Sequence, residues 1–299
     1  MTKQRDLVRQ LTSCRGFPIR LFRQIRFRHG IVCPHCDHSR IHRWGSFGWR
    51  RRYRCLGCRR TFSDFTGTPL AYLKRIELWP RFCLLSLQVP TVRDAARRLG
   101  IHVTTSFRWR HRLLSGLLRT ESAELGGRVS VSLKWFPRSE KGSRTLSRPA
   151  RRTAFRGYFS HECDAEWVVF ASGDDGQSFA KAIGRRLPTP RSVQWALTSH
   201  VVSGSTLLSR PNHRGIIDQA ASRLGCDFER EVARRGHERV LTPTSARLHV
   251  LRLMRWLRRF FGVATRYLEN YLVWFRLMEL VARPEARQSL GPLLAGAFP

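Results

Sequence analysis

Four cysteines, spaced C-x2-C, an 18-residue gap and C-x2-C, constrain this chain more than any other feature. They are Cys33, Cys36, Cys55 and Cys58 in "CPHCDHSRIHRWGSFGWRRRYRCLGC". A two-residue spacing lets both thiolates of a pair turn toward one ion, and the gap accommodates a hairpin between the pairs. Two such knuckles supply the tetrahedral sulfur shell that a structural zinc prefers, a closed site with no position left for catalysis. His35, His38 and His42 either compete as ligands or sit at the surface facing phosphate. Cys14, Cys83, Cys163 and Cys226 lack partners at ligand spacing and read as ordinary thiols. Around Gly45 and Gly48 the gap reads as two strands, with "WRRRYRC" alternating Trp49 and Tyr53 with Arg50, Arg52 and Arg54. The expectation is a zinc ribbon carrying an arginine-rich strand.

Charge sets the next bound. The 299 residues hold 55 Lys+Arg against 21 Asp+Glu, a net of +34. So large an excess repels itself unless a polyanion shares the load, which points to nucleic acid. Fifty of the basic residues are Arg. A GC-rich coding sequence favours Arg over Lys but leaves the shortage of acids unexplained. The first 60 residues alone carry 16 basic residues and two acids, Asp6 and Asp37. "MTKQRDLVRQLTSCRG" is too polar for a secretory h-region, and no apolar run reaches the roughly 18 residues of a membrane span. The expected address is cytoplasmic and nucleoid-associated, with no membrane partner. Cysteines there serve as metal ligands or inert thiols more often than as disulfides.

The chain divides into a basic N-terminal helical segment over 1–30, the ribbon over 31–66 and a helical module over 75–118. An α/β domain over 128–270 and a C-terminal helix and tail over 271–299 follow. "FPIRLFRQIRFRHG" mixes apolar residues with Arg at helical spacing, as a basic amphipathic helix does. "TVRDAARRLGIHVTTSFRWRHRLL" has a helix-turn-helix profile, with a plain helical hairpin as the alternative. Thr91 with Asp94 three residues on is an N-cap pattern. Val92, Ala95, Ala96 and Leu99 form an apolar face, and Gly100 permits the turn. In the second helix Val103, Phe107 and Leu114 are expected to face inward. Thr105, Arg108 and Arg112 share another face suited to a major groove. Trp109 fits either the core or a phosphate contact. Gly126-Gly127 is a plausible hinge, and the pattern then turns strand-rich through "RVSVSLKWF", "FRGYFS", "AEWVVFASGD" and "SVQWALTSH". Helices are expected at 213–235 and 244–280, with strands followed by helices giving an α/β or α+β domain.

These residues carry a resemblance. "CPHC…YRCLGCRRTFSDFTGTPL" with the helix-turn-helix resembles the N-terminal half of bacterial insertion-sequence transposases of the ISXO2-like group. "KGSR" (Lys141 to Arg144) and "RWLRRFFGVATRYLENYLVWFR" resemble their catalytic half. The resemblance implies an RNase H-like domain of DDE type, in which acidic residues hold magnesium ions that drive phosphoryl transfer. It places the first acid at Ser132, followed by Leu133 and Lys134, and the second at Thr198 or Ser199 beside His200. The third falls near Arg247 or His249. No Asp or Glu occurs from Gly176 through Ile217 or between Arg239 and Leu268. Hydroxyls, imidazoles and guanidiniums cannot supply the hard oxygens magnesium needs.

The implied function is a transposase-family protein that recognises double-stranded element-end DNA without cutting it, with structural zinc and a degenerate active site. An active transposase with relocated acids is the alternative, and magnesium belongs to that reading alone. Asp164, Asp174 and Asp175 remain as acids in or near the strand region, the last two in a turn-like "SGDDGQS". A nucleic-acid coat or protein-interaction module is a further alternative. Self-association follows from the resemblance only. "ARLHVLRLMRWLRRFFGV" places Leu248, Leu251 and Met254 on one side, continued by Leu257 and Phe261. Arg252, Arg255 and Arg259 recur on a basic side suited to phosphate.

Overall fold

The structure is a computed structural model describing residues 19–88, 91–119, 124–147, 165–210, 213–230, 233–235, 238–240 and 245–282. They fall into two compact units, residues 1–120 with 280–299 and residues 121–279. The expected strand "FRGYFS", Asp164, Cys14 and Cys163 lie outside the described residues.

In the first unit, helix α1 (Ile19–Arg26) precedes strands β1 (Ile41–Phe47), β2 (Arg50–Cys55) and β3 (Thr61–Ser63). These strands form an antiparallel sheet in chain order. Tyr53 and Phe62 stack within it at 5.2 Å, beside the buried Cys33 and Cys55. The β1–β2 register shifts between Arg43 and Ser46, and Gly48 takes the left-handed conformation at the tip (φ 57).

A 3-10 turn then leads to α2 (Trp79–Gln88), α3 (Val92–Leu99) and α4 (Val103–Arg119). The expected caps hold. Thr91 Oγ1 accepts from the Asp94 amide at 3.1 Å, and Gly100 ends α3 left-handed at φ 61. A residue with a Cβ disfavours that conformation, which is why glycine fits the turn. Trp109 is core, packed edge-on to Trp79 and Phe82 at 5.7 and 5.4 Å. Val103 is exposed and Phe107 only half-buried, against expectation, while Leu114 is buried as expected. Seating the indole between two rings rotates α4 so that Ser106, Trp109, Arg110, Leu113 and Leu117 form its inner face. Large aromatic area outweighs a valine at the helix's first turn.

The second unit is built on a five-stranded mixed sheet of β4 (Arg128–Pro137), β5 (Ala165–Gly173), β6 (Ser178–Gly184), β7 (Thr206–Ser209) and β8 (Asp227–Arg230). Spatial order is β6-β5-β4-β7-β8. The first three strands in sequence run antiparallel, and β7 and β8 then add in parallel. Alternation in β4 sends Val129, Val131 and Leu133 to one side. There they pack with Val193 and Leu197 of α5 (Pro190–Leu197) and with Ile217 and Ala221 of α6 (Arg214–Leu224). The other side meets α7 (Ser245–Leu257), whose Ala246 amide donates to Ser130 Oγ at 3.4 Å. Helix α8 (Leu268–Ala282) packs on α7 through aromatic edges, Trp256 to Trp274 at 5.1 Å and His249 to Phe275 at 5.2 Å.

Three sequence expectations change here. "SVQWALTSH" is not a strand: residues 190–197 are helix α5, started by a capping box between Thr189 and Ser192 with Pro190 in the first turn. The helix expected over 213–235 stops at Leu224, where Gly225 turns left-handed, and strands follow. In α7 the buried face is Ala246, His249, Val250, Leu253 and Trp256. Leu248, Leu251 and Met254 are exposed instead, and so is Phe261. Burying Trp256 and His249 against an aromatic α8 removes more apolar surface than the narrower aliphatic stripe would.

Candidate functional site

The ribbon brings its four cysteines together. Their sulfurs all lie within 4.8 Å of one another, and among the described residues no other group of three or more Cys, His, Asp or Glu converges so. Cys33 and Cys58 sulfurs are 3.7 Å apart, and Cys36 and Cys55 3.6 Å. A tetrahedron with metal–sulfur bonds of about 2.3 Å has edges of about 3.8 Å, so these thiols fit one tetrahedral ion. The Cys33 thiolate position also accepts from the His35 amide at 3.4 Å.

Behind the metal-ligand module lies a contact the sequence did not announce. Asp64, in "TFSDFTGTPL", is fully buried and collects four donors. Arg23 Nε and Nη2 donate at 2.9 and 2.8 Å, the Arg51 amide at 2.7 Å and Tyr53 Oη at 3.1 Å. The carboxylate's hydrogen bond raises the Arg23 pKa. Arg26 donates to the backbone carbonyls of Asp64 and Thr66, and burial lowers its pKa to about 10. Two arginines of the basic helix thus tie α1 to the ribbon. Only a long-range pairing fixes this role, so local pattern could not reveal it.

Other arginines expected on DNA also hold parts of the fold. Arg50 donates to the Leu73 carbonyl at 3.2 Å and lies over the Trp49 and Phe65 rings. Arg112 donates to the Ala71 carbonyl at 2.9 Å. Arg252 Nε meets Glu279 Oε1 at 2.6 Å. Arg52, Arg108, Arg255 and Arg259 are exposed, Arg54 and Thr105 half-buried.

On the sheet of the second unit, Ser132 lies mid-strand in β4 on the side facing α7, opposite Phe170. Thr198 and Ser199, by contrast, are exposed after α5, and Thr198 Oγ1 merely caps the Gln194 carbonyl at 2.8 Å. His200 is buried and stacked on Phe179 at 3.7 Å. The parallel neighbour of β4 is β7, with Ser130 opposite Leu208. Extending that register by two residues places Arg210 beside Ser132. Residues 190–197, expected as a strand, are helix α5, and Thr189-Pro190 with Ser192 was the local signal for it. From α7, Ala246 and the buried His249 approach the same side, whereas Arg247 is exposed. Lys134 follows on that side of β4. Ser130, Ser132 and Lys134 share that face with Phe170, and the half-buried Glu166 lies on it farther along β5, opposite Phe136, where burial raises its pKa. The nearby acid Glu279 is committed to His249 Nδ1 at 2.7 Å and to Arg252. Burial raises its pKa, but those two partners outweigh burial and leave it below the usual range. Asp174 and Asp175 form the β5–β6 turn, where Asp175 accepts from the Gln177 amide at 2.8 Å.

The two motifs of the later half are physically joined. Lys141 Nζ donates to the carbonyls of Phe260, Phe261 and Gly262 at 2.8, 3.2 and 3.0 Å. Ser139 and Thr265 exchange hydrogen bonds, each at 2.8 Å.

No family model matches the chain. It is 26% identical over 291 residues to an "Uncharacterized protein in transposable element ISH50" of Halobacterium salinarum. That match covers 93% of this chain and 95% of the relative. Among solved structures, the Mos1 strand transfer complex aligns at 13% identity over 74% of this chain and 78% of that one, with a TM-score of 0.26. A pre-cleavage Mos1 transpososome aligns at 13% identity over 76% and 79%, with a TM-score of 0.25. Scores this low carry no weight for fold or chemistry. No described helix is long and apolar enough to cross a membrane. Over nearly its whole length, then, the chain is related to a protein of a transposable element and resembles the insertion-sequence transposases.

Proposed function

We propose that this chain is a transposase-derived, DNA-binding protein that grips double-stranded DNA and does not transfer strands. Its first unit serves as a zinc ribbon and helix-turn-helix. Cys33, Cys36, Cys55 and Cys58 hold one zinc, which supplies folding energy to a module too small to keep a core by itself. The exposed Arg108 of α4, with Arg52 and Arg54 of the ribbon, contacts phosphates or base edges. Arg255 and Arg259 of α7 add phosphate contacts from the second unit.

The second unit reads as a degenerate RNase H-like domain. Support comes from its sheet, three antiparallel strands followed by two parallel ones on the far side of the first. One observation carries the loss of chemistry. Along the face of β4 that meets α7, Ser130, Ser132 and Lys134 stand beside Ala246 and His249, and the register of β7 runs Arg210 toward Ser132. Phosphoryl transfer by paired magnesium ions needs carboxylate oxygens at that point.

Two measurements on the purified chain test the proposal. Duplex DNA should bind with an affinity that falls steeply with salt. Arg108→Ala should weaken it about tenfold. Incubation with element-end DNA and magnesium should leave every strand intact. Nicked or joined product abolished by Asp174→Ala would move the reading to a relocated active site. Salt-insensitive or absent DNA binding would end it.

A further inference from the structure

We infer that the outer face of the β1–β2–β3 sheet is a stacking platform for unpaired DNA bases, distinct from the groove-reading helix. The inference rests on the DNA-binding reading above and specifies which form of DNA the ribbon prefers. In β2, period-two alternation sends Tyr53 and Cys55 to the metal-side core and Arg50, Arg52 and Arg54 to the opposite face. Cross-strand pairing adds Phe47 opposite Arg50 and His42 opposite Arg54. Alternation from His42 puts Trp44 on this side as well, its ring 4.7 Å from the Arg54 guanidinium and 6.1 Å from His42, and the register shift after Arg43 returns Phe47 to it. From β3, Thr61 pairs with Arg54 and Ser63 with Arg52. Rings and guanidiniums therefore alternate across one small sheet, edged by hydroxyls.

The rings are open. Phe47 is 78% exposed and Trp44 44%. Neither supports the ribbon core, which is built from Tyr53 and Phe62. Charge selects the occupant. From His38 to Ser63 the chain has eight arginines and no acid. That surface repels a basic protein face and attracts a polyanion. Duplex DNA offers its phosphates but keeps its base faces stacked, so Phe47 and Trp44 would find nothing there to cover. Unpaired bases have open faces, and aromatic platforms beside arginines bind them whatever their sequence. The chemistry thus fits a frayed or overhanging DNA end: rings take the bases, and Arg52 and Arg54 take the backbone.

The test uses the metal-loaded full chain and three probes: a blunt duplex, the same duplex with a short single-stranded overhang, and an oligo-dT strand. Fluorescence anisotropy should show the overhang duplex bound more tightly than the blunt one. Phe47→Ala and Trp44→Ala should each cost about tenfold on the overhang and on oligo-dT, and under twofold on the blunt duplex. Phe47→Tyr should restore the affinity. A 2-aminopurine base in the overhang should be quenched by the native chain and not by Phe47→Ala. Equal binding of blunt and overhang duplexes, or equal losses on both in the variants, overturns the platform while leaving DNA binding intact. No binding to any probe by the native chain overturns both.

Discussion

The ribbon and the five-stranded sheet each bring distant residues to one point, with opposite results. In the ribbon, four soft thiols converge to fit a shared ion, and the fully buried Asp64 carboxylate has its own set of donors. On the sheet, the corresponding convergence gathers Ser132, Ala246 and a cation-rich flank, while Glu279 is spent on His249 and Arg252. A fold that gathers side chains and the charges it gathers are therefore separable. Hydrogen-bonded strands and packed helices hold their arrangement through apolar burial whether or not carboxylates are present.

The largest effect should come from metal removal. Chelating the ion, or replacing the exposed ligand with Cys36→Ser, should unfold the ribbon and open residues 31–66 to protease. Elemental analysis should find one zinc per chain before chelation. A ribbon that stays protease-resistant without metal would remove one side of the contrast. Next comes Asp64→Ala, which removes the buried acceptor of Arg23, the Arg51 amide and Tyr53 Oη and should cost about 1–3 kcal/mol, read by thermal unfolding of the first unit.

A smaller effect belongs to Glu279. Because its folded pKa is depressed, its stabilisation is complete above the unfolded value of about 4.3 and is lost as pH falls through the folded value. Glu279→Gln should lower stability at neutral pH by about 1–2 kcal/mol and flatten the acid limb of the second unit's stability curve. Unchanged acid behaviour would show that the pair contributes nothing. Smallest of all, magnesium at millimolar levels should leave the melting of the second unit unmoved. A rise of several degrees would mean that carboxylates do meet an ion there, and the contrast would collapse.

Much of the first unit was legible because its signals are local. Cysteine spacing, the Thr91 and Asp94 cap and the Gly100 stop each act within a few residues. The strands β4 and β5 were legible from alternation and valine content. Asp64 was not, since its partners lie up to 41 residues away and look like ordinary surface arginines in sequence. The face presented by α7 was misread because aliphatic spacing ignored the aromatic surface of α8. The stretch 190–197 reads as a strand in sequence because its alternation of apolar residues hides the helix start at Thr189, Pro190 and Ser192.

Lys141 gives the corner between α7 and α8 an anchor that belongs to neither helix. Its ammonium gathers three carbonyls that the bend leaves without helical donors. A helical hairpin excised as residues 245–282 would thus lack its keystone and should splay. Insertions in the stretch between the anchor and the corner, provided they spare the sheet, should leave the bend unchanged.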